Sequence, residues 1–212
     1  MKKVLLGLFA LSAVSMAQNY FEGTNLYLKV GTDIVGEYDE LEYSGVKFNE
    51  KDADGMGYEL AVEFTKNVAP NFELGFGLAY QDHNEPKDKV YTGIAKISMP
   101  GYTSIPLYVT GKYNFVTESN VKPYIKTDLG YSFNDIDGDL KLTDLSENST
   151  ETGSGKVENG LYFGFGAGLE YNNFVTELMY KINTAEIKGD EGDKYDYDYS
   201  RITLSFGYKF NF

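Results

Sequence analysis

Thirteen ionisable side chains recur at alternating positions along this chain: Lys29, Asp33, Glu59, Glu63, Glu73, Lys112, Lys126, Asp128, Glu170, Glu177, Lys181, Arg201 and Lys209. Most are flanked on both sides by apolar residues. An alternation of that kind puts the charges on one face of extended chain and the apolar residues on the other. The set holds six cations and seven anions, so gathered into one compartment the charges would nearly cancel. A charge buried alone costs several kcal/mol, which predicts that these groups pair and cross-link whatever encloses them. The chemistry expected of them is electrostatic bracing, not catalysis.

Other chemistry is sparse. The only histidine is His83, followed by Asn84 and read as a loop residue. There is no G-x-S-x-G, no H-E-x-x-H and no cysteine, so no nucleophile motif, zinc motif or thiolate metal site is expected. No cofactor is implied, and the chain is read as non-enzymatic. Asp135-Ile136-Asp137-Gly138-Asp139 resembles the start of a calcium loop, but position six would be Leu140 and position twelve Ser146, where Gly and Glu are needed. A solvated acidic loop is the expectation there. Tyr195, Tyr197 and Tyr199 interleave with Asp196 and Asp198. They suggest either a protein- or glycan-binding rim, since Tyr favours interfaces, or a strand extension with an interfacial Tyr belt.

Composition narrows the field. The chain has 212 residues, with 32 acidic against 19 basic side chains and a formal charge of −13. That balance excludes nucleic acid as a partner, because phosphate binding needs a basic face. Sixteen per cent aromatic residues argue against disorder. The mean hydropathy is negative, the value of a soluble protein. Averaging, however, conceals the pattern that positions the charges.

From Leu26 onward the chain reads as eight alternating segments. Their apolar faces begin Leu26-Leu28-Val30, Tyr58-Leu60-Val62, Phe72-Leu74-Phe76, Ile105-Leu107-Val109, Ile125 with Leu129, Leu161-Phe163-Phe165, Phe174-Thr176-Leu178 and Ile202-Leu204-Phe206. Each can supply the roughly 9–11 residues of a tilted membrane strand. Short links at 67–71, 116–121 and 172–173 alternate with long ones at about 37–55, 82–103, 135–158 and 187–198. Short turns at one end and long loops at the other are expected of an all-β, eight-stranded antiparallel up-and-down transmembrane β-barrel, with periplasmic turns and extracellular loops. A soluble lipocalin-like barrel also has eight antiparallel strands but reverses the faces, with apolar residues inside. The nearly uncharged apolar faces, ending in aromatics, favour the membrane. Within the second long link, 89–99 looks strand-like and would prolong the third or fourth strand, kinked at Pro100-Gly101.

The loops hold the excess charge. The first and third each carry seven acids against two bases, the fourth carries five against two, and the second is balanced. Eight strands leave an interior about wide enough for side chains to fill. A polar plug, not an open pore, is therefore expected, with inward glycines at 75, 77, 164, 166 and 168 giving either room or curvature. On this orientation Leu204→Lys should cost roughly 2–4 kcal/mol and Thr203→Lys much less.

The chain opens with Lys2 and Lys3, an apolar stretch from Val4 to Val14, and Ser15-Met16-Ala17. This is the order of a secretory signal, predicting a cleavable signal peptide over 1–17, a cut between Ala17 and Gln18, and a barrel domain over 18–212.

Residues 18–212 resemble the small eight-stranded outer-membrane proteins of the OmpA-barrel, OmpX and opacity-protein type. The most specific likeness is the last segment, Ile202-Thr203-Leu204-Ser205-Phe206-Gly207-Tyr208-Lys209-Phe210-Asn211-Phe212. The resemblance implies that Tyr208, Phe210 and Phe212 form the signal read by the barrel-assembly machinery. It also implies an outer-membrane location in a Gram-negative-type cell, among membrane lipids and lipopolysaccharide. The role expected is envelope structure or adhesion through acidic, Tyr-rich loops, with an extracellular protein or glycan as partner. The alternative is a narrow, OmpW-like channel for small solutes or hydrophobic compounds.

Overall fold

The computed structural model describes residues 23–43, 46–47, 51–91, 93–153, 155–188 and 194–212. The expected signal peptide and its Ala17–Gln18 cut lie outside these residues. Eight long strands carry the fold: β1 (Thr24–Tyr38), β2 (Tyr58–Ala69), β3 (Phe72–His83), β4 (Gly101–Asn114), β5 (Val121–Asp137), β6 (Gly160–Tyr171), β7 (Phe174–Asn183) and β8 (Tyr199–Asn211). Each pairs antiparallel with its sequence neighbours, and β1 pairs with β8 to close the barrel, placing Val30 opposite Phe206.

Alternation dictates the faces. Val30, Phe76, Leu129, Phe165, Leu178 and Phe206 point outward and are among the exposed large apolar side chains. All thirteen predicted ionisable residues point inward; all are buried except Lys209, whose side chain is 12% exposed. Aromatic pairs ring the periplasmic rim, as in Tyr113 with Phe115 at 5.3 Å and Phe174 with Tyr208 at 5.3 Å. Amphipathic rings of this kind suit the boundary between hydrocarbon and water. Two of the tight turns place asparagine in the left-handed region, Asn71 at φ 63° and Asn172 at φ 55°, a conformation Asn tolerates better than most residues.

Two features depart from simple alternation. A bulge between Asp33 and Val35 lets Ile34 and Val35 both face outward, so that Gly36 and Tyr38 turn inward. The long loops, moreover, are folded. Segments Lys89–Tyr91 and Ala95–Ser98, from the second loop, join Leu140–Asp144 and Ser149–Gly153, from the third, in a four-stranded sheet. The strand-like stretch at 89–99 is therefore a hairpin of its own sheet and not a prolongation of a barrel strand. Lys156–Val157, Glu186–Lys188 and Lys194–Asp196 form a further three-stranded sheet. No helix among the described residues is long and apolar enough to cross a membrane, which says nothing of crossing by strands.

Candidate functional site

The inward charges sort into three tiers along the barrel axis. Nearest the periplasm, Lys112 lies 3.1 Å from Glu170 and 3.5 Å from Glu73, while Lys209 lies 3.2 Å from Glu170 and 3.8 Å from Glu73. In the middle tier, Lys29 sits 2.7 Å from both Glu63 and Glu177, and Lys126 is 2.6 Å from Glu63 and 3.0 Å from Asp128. In the outer tier, Lys181 is 2.5 Å from Glu59, with Arg201 Nε 3.4 Å from Asp33 and Arg201 Nη2 3.6 Å from Glu59. Every member of the thirteen has an oppositely charged neighbour. The outer and inner tiers balance two against two, and the middle tier holds three carboxylates against two lysines. There Tyr108 and Tyr124 donate hydrogen bonds to Glu63 and Glu177 at 2.8 and 2.9 Å. Hydroxyl donors help satisfy the carboxylate lone pairs that the lysines leave.

Between the middle and outer tiers runs an uncharged layer of Ala61, Ala79, Tyr108 and Tyr162, with the two tyrosine rings 5.1 Å apart. Here the glycine question divides. At Gly77 an added Cβ would stand 2.5 Å from Tyr108 Cε2, and at Gly168 2.5 Å from the Tyr124 hydroxyl, so these two make room for rings. Gly75 and Gly166 instead approach the backbone of Phe64 and Leu178, where the walls bend close.

Above the outer tier the barrel is capped. Tyr38, Tyr102, Tyr197 and Tyr199 pack together, with Tyr38 4.8 Å from Tyr197 and 4.7 Å from Tyr199. Ile97, Met99, Val157 and Ile187 join them from the folded loops. Each of the four hydroxyls donates to a distant segment: Tyr38 to Asn84 O (2.6 Å), Tyr102 to Asn183 O (3.2 Å), Tyr197 to Pro100 O (2.8 Å) and Tyr199 to Asp33 Oδ2 (3.3 Å). This corrects the expected Tyr195–Tyr197–Tyr199 rim. Tyr197 and Tyr199 are buried at 1% and 0% exposure, and Tyr195 packs partly buried against the same core. Tyr199 opens β8 on its odd-numbered inward face, while Tyr197 just before the strand and Tyr195 in Lys194–Asp196 are covered by the folded loops.

His83 is likewise relocated. It is not in a loop but is the last residue of β3, buried beneath the cap and 4.4 Å from the Tyr199 ring. Its Nε2 lies 3.0 Å from Ser104 Oγ, a pairing the sequence did not suggest because 21 residues separate the two. Ser104 spends its one proton on Asn134 Oδ1 at 2.8 Å, so the hydrogen-bond network assigns Nε2–H as donor to Ser104. A histidine that donates to a serine with no exposed surface does not activate it. The start of the acidic stretch expected as a solvated loop is strand instead: β5 continues through Asp137, and Asp135 pairs with Thr103.

The loop charges are partly spent on one another. Glu158 binds both Lys188 and Lys194, the latter at 2.8 Å, and Lys194 also reaches Glu186 at 2.7 Å. These hydrogen bonds hold the Glu158 carboxyl down at about 2 and raise the Lys194 ammonium above its ordinary range. Asp39 and Asp198 are pushed up instead, first by partial burial and then by neighbouring carboxylates, Asp196 among them. At the opposite end a polar cleft of about 600 Å³ opens to the periplasm, lined by Asn67, Asn71, Asn114 and Lys122 and floored by Glu73, Glu170 and Lys209. The last strand ends beside it: Tyr208 and Phe210 lie 4.8 Å apart on the lipid side, and the Phe212 backbone pairs with Gly23 and Thr24.

Comparison with known proteins agrees with this architecture. A family model described as the outer membrane protein beta-barrel domain matches residues 4–210. An uncharacterized protein of Pasteurella multocida (strain Pm70) is 31% identical over 99% of this chain and 98% of its own length. Among solved structures, the outer membrane protein OprG from Pseudomonas aeruginosa aligns with a TM-score of 0.53 at 16% identity, over 90% of this chain and 97% of that one. Ail, the attachment invasion locus protein of Yersinia pestis, aligns at 15% identity and a TM-score of 0.47, over 90% of this chain and all of that one. With the closed barrel, its apolar outer belt and a family match over nearly its whole length, the chain belongs to the outer membrane protein beta-barrel domain family.

Proposed function

We propose that this barrel is a sealed, non-catalytic anchor that presents a folded cap at the cell surface, acting by contact in adhesion or envelope structure. The observation that carries the reading is the double closure of the lumen. Three ion-paired tiers fill it, and a tyrosine core lies across its outer mouth. A solute crossing from outside would have to displace the buried cap and then break pairs in every tier. That costs several kcal/mol wherever a charge is left alone. The periplasmic cleft is floored by Glu73, Glu170 and Lys209. Partners on this reading are lipids and lipopolysaccharide around the wall and an extracellular protein or glycan above it.

Export by the 1–17 leader with cleavage before Gln18, and recognition of Tyr208, Phe210 and Phe212 by the assembly machinery, complete the proposal. N-terminal sequencing of the outer-membrane form tests the first, and truncation of Phe212 tests the second. The deciding experiment is planar-bilayer recording on purified, heat-modifiable protein. The sealed reading expects no steady conductance; large stable steps would overturn it in favour of a narrow channel.

A further inference from the structure

The periplasmic end of the lumen carries more positive charge than it pairs. Alternation along β4, β5 and β8 turns Lys112, Lys122 and Lys209 toward the axis there, with Glu73 from β3 and Glu170 from β6. Lys112 and Lys209 share the two carboxylates between them. Lys122 stands directly opposite Glu170 in the β5–β6 register, yet it is exposed and has no ion-pair partner among the described residues. Glu118, in the preceding turn, does not line the cleft.

The cleft of about 600 Å³ that Lys122 does line falls within the size range of small-molecule sites. Its walls come from two periplasmic turns: Val68 and Pro70 lie between β2 and β3 or at their ends, and Val116 and Thr117 follow β4. Val68 and Val116 are 57% and 80% exposed, so apolar surface flanks the polar floor. Asn114 joins wall to floor. Its Nδ2 donates to Glu73 Oε1 at 2.9 Å, and its Oδ1 is buried without a partner. Asn114 pairs with Tyr124, two residues from Lys122, so the unmet acceptor and the spare ammonium stand on adjacent strands. A buried acceptor left in that state calls for a donor.

Three demands therefore meet in one cleft: an anion for Lys122, an N–H for Asn114, and small apolar groups for Val68, Pro70 and Val116. A bare anion answers only the first. The last residue of a peptide answers all three, because its carboxylate, amide N–H and side chain leave from one Cα.

We propose that the cleft binds the free carboxyl end of a short peptide with small side chains. Lys122 holds the carboxylate, Asn114 Oδ1 accepts the last amide N–H, and Val68, Pro70 and Val116 pack on the side chains. Lys209 stays paired with Glu170 and adds attraction from below. The site goes beyond the sealed-anchor reading, since it lies across the ion-paired tiers from the cap.

The test uses the full chain in nanodiscs. The probes are N-acetyl-alanyl-alanine, its C-terminal amide, N-acetyl-alanyl-lactic acid (an ester oxygen in place of the last N–H) and inorganic phosphate. Calorimetry reads affinity, and nuclear magnetic resonance reads the Asn114 side-chain amide. The first probe should bind and shift the Asn114 signal, and the amide and the lactic acid version should each bind about tenfold more weakly. Lys122→Met should weaken the first probe by a similar factor and Lys122→Arg should not, both variants keeping heat-modifiable gel mobility. Phosphate binding as well as the first probe would reduce the site to an anion patch and overturn the proposal. So would equal binding of acid and amide, indifference to the missing N–H or to Lys122→Met, or no binding at all. Conductance is read separately. A conducting barrel that binds the peptide acid retains the cleft site and loses the sealed reading, and a silent barrel that ignores it does the reverse.

Discussion

Lys29 on β1 and Glu177 on β7 stand 148 residues apart in the chain, yet Lys29 Nζ and Glu177 Oε2 meet at 2.7 Å inside the barrel. The two strands are not neighbours; β8 runs between them. Lys29 reaches across at Gly207, where an added Cβ would stand 2.5 Å from Lys29 Cγ. The pair thus ties together a seam of three strands, including the β1–β8 closure.

Lys29→Met should therefore destabilise the folded barrel by about 3–5 kcal/mol, because it strands the carboxylates of Glu63 and Glu177 beside one remaining lysine. Adding Glu177→Gln should restore part of the loss. Urea unfolding in lipid vesicles reads both values, and a double variant no better than the single one would sink the cross-link reading.

Gly77→Ala should cost about 1–3 kcal/mol, since the new methyl meets the Tyr108 ring, which is also held by its bond to Glu63. In a Tyr108→Ala background the same substitution should cost much less. A double-mutant cycle measures the coupling; additivity would mean the glycine serves the wall's curvature instead.

Leu204→Lys, facing lipid in mid-strand, should cost roughly 2–4 kcal/mol. The companion expectation that Thr203→Lys would be cheap does not survive the structure. Thr203 has no exposed surface, its hydroxyl donates to Asp33 Oδ1 at 2.8 Å, and Arg201 lies beside that same carboxylate. A lysine there lacks both room and a free anion, so it should destabilise too. The small control substitution is Thr203→Ser, which keeps the hydroxyl and should change the vesicle unfolding midpoint little.

The outer loops should respond to acid in two opposed ways. Asp39 and Asp198 have raised carboxyl values, so protonating them in the fold relieves repulsion. Their contribution grows as pH falls through the raised values toward the ordinary 3.8. Glu158 is held down at about 2 from an ordinary 4.5, and the support of its lysine pairs is lost as pH falls across that interval. Amide protection factors at 186–188 and 194–198, taken against the unfolded rate at each pH, should rise on mild acidification and fall below about pH 4. A monotonic profile would contradict this balance.

The alternation of apolar and charged residues was enough to identify the eight strands, their inward and outward faces and the thirteen lumen charges. Side-chain direction in a strand is a local property of period two, so a sequence states it outright. Lys29, Glu63 and Glu177 could be assigned to one compartment on that basis alone. Their pairing could not, since it depends on register and on which strands close the ring. The same limit explains the misplaced residues. Polar sequence around His83 reads as a loop, whereas β3 continues to it. Tyr197 lies just before β8, and loops distant in sequence supply the Ile97, Val157 and Ile187 that bury it with the other tyrosines.

By itself, then, the sequence determined the class of the protein: an inside-out barrel with acidic outer loops. Tertiary structure alone decided that those loops fold over a shared core and close the mouth. Burial of Tyr38 against Tyr197 and Tyr199, and pairing of 140–144 with 95–98, are contacts between distant segments. Their free energy comes from surfaces that no short window of sequence contains.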